Sequence, residues 1–155
     1  MKKISSFHKL AGIKKNSAHN GFSGSEKSSV TKNEILVVDD DDLSRKLINR
    51  LIAKEFDYDI VSKSNGIEAL EYAEKNIPKL IILDLMLPGM NGFEILKKIR
   101  ENSCFENTKV VLVSAKSRSE DIERGFDLTA DEYITKPFQP KEFTARIRKL
   151  LTQAA

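Results

Sequence analysis

Residues 35–42, ILVVDDDD, place four apolar residues directly before four aspartates. A short run of branched apolar residues is typical of a strand that is buried on both faces. Two carboxylates about 4 Å apart repel each other by about 4 kcal/mol at an effective dielectric of about 20. The stretch therefore predicts a buried strand whose carboxyl end needs positive charge beside it.

Four further segments read as strands, and helical periodicity separates them. The strands are LIIL (80–83) and VVLV (110–113), with weaker ones at YDIV (58–61) and EYIT (132–135). The helical stripes are Leu43, Leu47, Ile48, Leu51 and Ile52, then Ile67, Leu70 and Ala73, then Phe93, Leu96 and Ile99, then Ile122 and Phe126, and last Phe143, Ile147, Leu150 and Leu151. Strict alternation predicts an α/β fold, a doubly wound five-stranded parallel sheet with five helices.

The first 33 residues differ from the rest of the chain. They carry seven lysines against the single acid Glu26, a net charge of +6, whereas residues 34–155 carry a net charge of −3. Their Ser, Lys and Asn content favours a basic, disordered tail. An alternative is a short amphipathic helix through Ile4, Phe7, Leu10 and Ile13 that contacts a membrane or an acidic partner. The pI of 8.9 is a property of this tail and does not indicate nucleic-acid binding by the body.

Length and cysteine content suit one cytoplasmic domain. We expect it at residues 34–152, with 153–155 as the C-terminal end and no room for an output or DNA-binding domain. Cys104 is the single cysteine, which excludes a disulfide framework. No apolar run has the length of a signal peptide core or a membrane span.

Each main strand ends in a chemically active side chain. Asp39 and Asp40 follow the first strand, Asp84 follows the third, Ser114 ends the fourth, and Lys136 follows the fifth. The carboxyl ends of parallel strands share one rim, where open α/β sheets bind ligands. Oxygen ligands without His or Cys select Mg²⁺, with Mn²⁺ as the alternative, and magnesium accepts phosphate oxygens. The rim therefore predicts phosphoryl chemistry, with the central Asp84 as the best nucleophile.

Taken singly, these residues have ordinary interpretations. Asp41 and Asp42 suit the first turn of a helix, where acids stabilise the dipole. Ser114 alone is more often a helix cap than a phosphate ligand, and Lys136 alone is more often a solvated charge. Their conjunction at different strand ends carries the prediction.

With these motifs the chain resembles the receiver domain of bacterial two-component response regulators, in a single-domain form similar to the chemotaxis regulator. The matching segments are ILVVDDD, LIILDLMLPGMNGFEIL, VVLVSAK and DEYITKPF, within residues 34–152. The resemblance implies a flavodoxin-like fold and a phosphorylated protein that is no enzyme beyond its own phosphorylation and dephosphorylation. The donor would be a histidine kinase or a histidine phosphotransfer protein. The downstream protein is unknown, and a phosphorylation-dependent dimer is left open.

The resemblance also assigns roles. It makes Asp84 the phosphoacceptor and gives Mg²⁺ to Asp39, Asp40, Asp84 and the backbone carbonyl of Met86, with Asp39 acting mainly through a metal-bound water. It makes Ser114 and Lys136 the partners of the phosphoryl group, Tyr133 with Ser114 the switch, and Lys136–Pro137 a cis peptide. Thr129 departs from the glycine that is common in the family.

Three other functions are compatible with parts of the sequence. A phosphatase of the haloacid dehalogenase type would need its nucleophile after the first strand in a D-x-D-x-Thr pattern, which DDDDL and DDDLS do not supply. A flavodoxin-like cofactor binder would need a Ser-, Thr- or Gly-rich phosphate loop there. An unphosphorylated scaffold receiver remains an alternative.

Overall fold

Five strands and five helices alternate through residues 32–153, the part of the chain that this computed structural model describes. The strands are β1 (Lys32–Val38), β2 (Asp59–Lys63), β3 (Pro78–Leu83), β4 (Lys109–Ser114) and β5 (Glu132–Thr135). The helices are α1 (Asp42–Glu55), α2 (Gly66–Asn76), α3 (Gly92–Glu101), α4 (Ser119–Asp127) and α5 (Pro140–Thr152), with a short 3₁₀ helix at Ser103–Phe105. The alternation predicted from the sequence is confirmed.

The strands form one parallel sheet in the order β2-β1-β3-β4-β5. β1 lies between β2 and β3, with Val38 paired to Lys63 on one side and to Leu83 on the other. The chain first winds from β1 to β2 and then returns past β1 to β3. The strand order therefore reverses between β1 and β3, and the crevice at this switch point opens beyond their carboxyl ends.

Helices cover both faces of the sheet because successive strand residues point to opposite sides. Leu36 and Val38 of β1 pack in the cluster that includes α2 and α3, whereas Ile35 and Val37 pack in the cluster that includes α1 and α5. All four side chains are at most 1% exposed. Two apolar layers thus hold the strand ends in fixed positions.

Part of the predicted helical stripes lies outside the core. In α1, Ile48 and Ile52 are buried, but Leu43 is 78% exposed and Leu47 is 45% exposed. Adjacent residues lie about 100° apart around a helix. When Ile48 faces the core, Leu47 therefore lies at the boundary between the buried and the exposed face of α1. Ile67 and Phe126 are exposed in the same way, which corrects the wider stripes expected for α2 and α4.

The helix starts agree with the sequence. Asp41 is the N-cap of α1 and accepts a hydrogen bond from the Ser44 backbone N–H at 2.6 Å, and Asp42 is the first helical residue. Asn91 caps α3 in a reciprocal capping box with Glu94. The four aspartates therefore divide into a pair that follows the strand, Asp39 and Asp40, and a pair at the start of α1, Asp41 and Asp42.

The N-terminal boundary differs slightly from the expected one. β1 begins at Lys32, so the last two residues of the predicted tail belong to the sheet. Residues 1–31 lie outside the described part, and so the disordered tail and the helix through Ile4 stay predictions. Among the described residues, no helix combines the length and the apolar character needed to cross a membrane. The cytoplasmic location also stays a prediction.

Candidate functional site

Asp39 follows β1 at the switch point and is 1% exposed. Its Oδ1 accepts the backbone N–H of Asp41 at 2.9 Å. Its Oδ2 accepts the Ser44 hydroxyl at 2.5 Å and the Lys136 ammonium at 2.8 Å. The first turn of α1 and the end of β5 therefore fix the orientation of this carboxylate.

Asp84 follows β3 and is 7% exposed. Its backbone N–H donates to the carbonyl of Val38 at 2.9 Å, which holds it against the end of β1. The side-chain Oδ1 accepts the backbone N–H of Met86 at 2.9 Å, and Oδ2 accepts the Lys136 ammonium at 2.9 Å. The carboxylate is thus preorganised by neighbours from three parts of the chain.

Asp39, Asp40 and Asp84 form one acidic cluster. Each offers a carboxylate oxygen, and these oxygens all lie within 4.8 Å of one another. Asp40 is exposed, whereas the other two are buried. An oxygen-only donor set with one face open to solvent fits a small hard cation such as Mg²⁺, which keeps several waters. The three predicted carboxylate ligands are therefore brought together, and Met86, the fourth predicted ligand, lies two residues after Asp84 in the loop between β3 and α3.

Lys136 supplies positive charge to this cluster from within the chain. Its side chain is 20% exposed and its ammonium bridges Asp39 and Asp84. Burial acts to lower the pKa of Lys136, but the hydrogen bonds to Asp39 and Asp84 outweigh it and raise the pKa above its ordinary value. The Lys136–Pro137 peptide is cis, as the resemblance implied. The positive charge that the sequence predicted beside these carboxylates therefore comes at least in part from Lys136.

Ser114 is the last residue of β4, and Tyr133 is the second residue of the neighbouring strand β5. Ser114 is fully buried, and its Oγ accepts the backbone N–H of Lys116 at 3.2 Å. Tyr133 is 6% exposed, and its hydroxyl donates to the backbone carbonyl of Lys116 at 2.7 Å. Burial raises the pKa of Tyr133, and the charge of Asp121 adds to the effect. In this structure the tyrosine ring lies inward and is tied to the loop that follows Ser114.

Two residues of the site were missed by sequence reasoning. Ser44 donates to the carboxylate of Asp39, and Arg45 donates to the backbone carbonyl of Asp39 at 2.7 Å while pairing with Asp42 at 2.8 Å. Both lie in the first turn of α1, three and four residues after its N-cap. The capping position of Asp41 was the available signal, because a helix that starts there turns its next residues back toward the strand end.

A doubly wound sheet that gathers aspartates, a hydroxyl and a lysine at its switch point defines a class of phosphoacceptor signalling domains. The chain belongs to the response regulator receiver domain family, whose model matches residues 35–148.

Comparisons with individual proteins agree with this assignment. The chain is 41% identical over 119 residues to the transcriptional regulatory protein SrrA of Staphylococcus aureus. The aligned region covers 77% of this chain and 48% of SrrA. The chain thus spans about half the length of the curated relatives that it matches.

Solved structures share the fold over almost their whole length. A CheY-like receiver domain protein of Methanospirillum hungatei superposes with a TM-score of 0.73 at 26% identity, covering 80% of this chain and 97% of that one. The chemotaxis protein CheY4 of Vibrio cholerae gives a TM-score of 0.70 at 26% identity, covering 77% and 99%. The flavodoxin-like receiver fold expected from the sequence is therefore confirmed.

Proposed function

We propose that this chain is the phosphoacceptor switch of a two-component or phosphorelay system, and that Asp84 takes a phosphoryl group from a phosphohistidine donor. The donor class is a histidine kinase or a histidine phosphotransfer protein. The observation that carries the proposal is the contact between Asp84 Oδ2 and the Lys136 ammonium, 2.9 Å apart at the sheet's switch point. This pairing presents a preorganised carboxylate beside a cation that suits an incoming phosphate.

The transfer exchanges one bond for another. A carboxylate oxygen of Asp84 attacks the phosphorus, an O–P bond forms, and the P–N bond of the donor breaks with its electron pair returning to the imidazole. The Lys136 ammonium, which pairs with Asp84 beforehand, stays beside the transferred group. The Ser114 hydroxyl, at the end of the neighbouring strand, donates to a phosphoryl oxygen after transfer.

Asp39, Asp40, Asp84 and the backbone carbonyl of Met86 would hold Mg²⁺, with Mn²⁺ as a substitute. The ion would offset the negative charge of the transferring group. Asp40 is the exposed member of the set and leaves an open side for the donor. Ala115 follows Ser114, is exposed and is small enough to leave the phosphoryl group accessible to water. The chemistry proposed for this chain is its own phosphorylation and dephosphorylation.

Phosphorylation would act through Ser114 and Tyr133 on the surface formed by α4, β5 and α5. The effect is a shift between two populations, and its size depends on how differently the phosphoryl group interacts with each. We expect a downstream protein that this surface regulates. A phosphorylation-dependent dimer, and a membrane or acidic partner for the tail, also stay predictions.

The alternative phosphatase would use an aspartate that follows β1. Asp39 is 1% exposed, and hydrogen bonds from Asp41, Ser44 and Lys136 engage both of its oxygens. Asp84 is hydrogen-bonded in a similar way, so the phosphatase is not favoured for two other reasons: the D-x-D-x-Thr pattern is missing, and the receiver domain family model matches residues 35–148.

Phosphotransfer measured by intact mass tests the proposal. The wild-type chain and Asp84→Asn are incubated with phosphorylated histidine kinases or phosphotransfer proteins, with Mg²⁺ or with excess chelator. We expect a single phosphoadduct on the wild type with Mg²⁺ and none on Asp84→Asn, because an amide cannot form the acyl phosphate. An undiminished adduct on Asp84→Asn, or full phosphorylation in chelator, would contradict the assigned site.

A further inference from the structure

Helix α4 carries a glycine where it packs against the switch tyrosine. Gly125 is buried, and a Cβ placed on it would lie 2.9 Å from Leu112 Cδ1 and 2.9 Å from Tyr133 Cδ2. Carbon atoms pack best at about 3.5–4.0 Å, so neither contact is tolerated as it stands. The missing side chain of Gly125 therefore provides the space that the inward tyrosine ring fills.

The ring of Tyr133 is the neighbour that can move. Leu112 is fully buried in the centre of β4 and is the register partner of Tyr133. Tyr133 lies on β5, the edge strand of the sheet, where an outward rotation reaches solvent. A side chain at position 125 would thus be relieved most easily by turning the ring outward.

Helix α4 is held in place by contacts at its C-terminal end. The Arg124 guanidinium lies 4.5 Å from the centroid of the Phe93 ring, a cation–π contact with α3. The Ala130 N–H donates to the carbonyl of Gly125 at 3.0 Å. Retreat of the helix would disturb both contacts, whereas rotation of Tyr133 disturbs neither.

The inward ring is linked to Ser114 by two hydrogen bonds through the backbone of Lys116. Its hydroxyl donates to the carbonyl of Lys116, whose own N–H donates to the Ser114 hydroxyl. We propose that Gly125 is a positioning residue that sets the population of the inward Tyr133 ring and, through it, the affinity of the site for a phosphoryl group. This inference rests on the proposed function.

Binding of beryllofluoride, a phosphoryl mimic, in the presence of Mg²⁺ tests the inference on the full chain. We expect Gly125→Ala to raise the Kd on the order of tenfold, a usual size for coupling between sites. In protein labelled with 3-fluorotyrosine, the ¹⁹F signal of Tyr133, assigned by its loss in Tyr133→Phe, should move toward that of an exposed tyrosine. Glu123→Ala, an exposed change in the same helix, is the matched control and should change neither result.

Two double variants separate this role from a general loss of stability. In a Tyr133→Ala background the ring is gone and Leu112 Cδ1 can shift into its space, so Gly125→Ala should no longer weaken binding and should lower the melting temperature less than it does with the ring present. In a Tyr133→Phe background the ring remains but the hydroxyl that links it to Lys116 is gone, so Gly125→Ala should still lower the melting temperature but should no longer weaken binding. Unchanged binding and an unchanged ¹⁹F signal in Gly125→Ala, or failure of Tyr133→Ala to rescue its stability, would overturn the inference. Failure of the wild type itself to bind beryllofluoride would instead overturn the proposed function.

Discussion

The ammonium of Lys136 lies 2.9 Å from a carboxylate oxygen of Asp84, although 52 residues separate the two in the chain. Asp84 follows β3 and Lys136 follows β5, with β4 between them. The lysine therefore reaches across the end of a strand to the proposed phosphoacceptor. An internal cation thus stabilises the aspartates before any metal binds.

Removing this cation should destabilise the metal-free protein. Lys136→Met leaves the buried Asp39 and Asp84 carboxylates without their partner, and breaking a largely buried ion pair costs about 3 kcal/mol. Urea unfolding of metal-free protein measures the loss, and added Mg²⁺ should recover part of it. Lys97→Met, at a side chain that is 66% exposed, should change stability by less than about 0.5 kcal/mol. Equal stabilities of the two variants would show that the bridge contributes nothing.

Asp40 tests the balance between metal binding and repulsion. It is the exposed carboxylate of the cluster, so Asp40→Ala should weaken Mg²⁺ binding by about tenfold or more. The same change relieves repulsion and should raise metal-free stability by about 1 kcal/mol or less. Calorimetric titration and thermal unfolding measure the two effects. Asp57→Ala, an exposed carboxylate before β2, should alter neither, and wild-type Mg²⁺ affinity in Asp40→Ala would remove Asp40 from the ligand set.

The strand ends were predictable because parallel strands place their carboxyl ends on one rim. This geometric rule brought Asp39, Asp84 and Lys136 together from sequence alone, although they lie far apart in the chain. The core face of α1 was less predictable, because Leu43 and Leu47 share the apolar character of Ile48 while facing solvent. Periodicity indicates a helix, but its rotation depends on what packs beneath it.

Contacts that depend on side-chain shape were not predictable from the sequence. The hydrogen bond from Ser44 to Asp39 requires the exact entry angle of α1, which only the packed helix defines. The close fit of Gly125 to Tyr133 depends on the distance between α4 and β5. A glycine within a helical stripe is compatible with many roles, and packing alone selects one of them.

Tyr72 gives a pH dependence at the end of the sheet opposite the acidic cluster, near the start of β1. Its hydroxyl donates to the buried Glu34 carboxylate at 2.8 Å, and burial, together with this hydrogen bond, raises the pKa of Tyr72 to about 12. The ordinary value is 10.0, so the unfolded chain loses this proton first. The stabilisation is therefore complete below pH 10.0 and is lost as the pH rises through about 12.

Tyr72→Phe removes the titrating group and the hydrogen bond together. The variant should be less stable than the wild type at neutral pH by about 1–3 kcal/mol, because a buried acceptor loses its donor. The difference in unfolding free energy should narrow as the pH rises from 10.0 to about 12. Urea unfolding across that range measures it, and a difference that stays constant with pH would contradict the assigned linkage.

Thr129 occupies a backbone conformation that disfavours it. Its φ is +62°, and it lies two residues after the end of α4. The Thr129 N–H donates to the carbonyl of Phe126 at 2.8 Å, and the Ala130 N–H donates to the carbonyl of Gly125 at 3.0 Å. These two bonds form a Schellman motif, whose left-handed position is usually glycine. Thr129, where the family commonly has glycine, therefore occupies the position of this turn that suits glycine best.

Thr129→Gly should stabilise the protein. A β-branched residue with positive φ is strained by about 1–2 kcal/mol, and glycine removes that strain while adding about 0.5–1 kcal/mol of entropy cost, so a net gain of about 1 kcal/mol is expected. Thr129→Ala keeps the positive φ and should gain less than glycine. The Schellman motif uses the backbone N–H of Thr129, and the Thr129 carbonyl separately accepts the Arg100 Nε–H at 3.0 Å. Both contacts involve backbone groups and therefore survive the change to glycine. Chemical denaturation ranks the three proteins, and a glycine variant no more stable than the wild type would show that the turn holds threonine without strain.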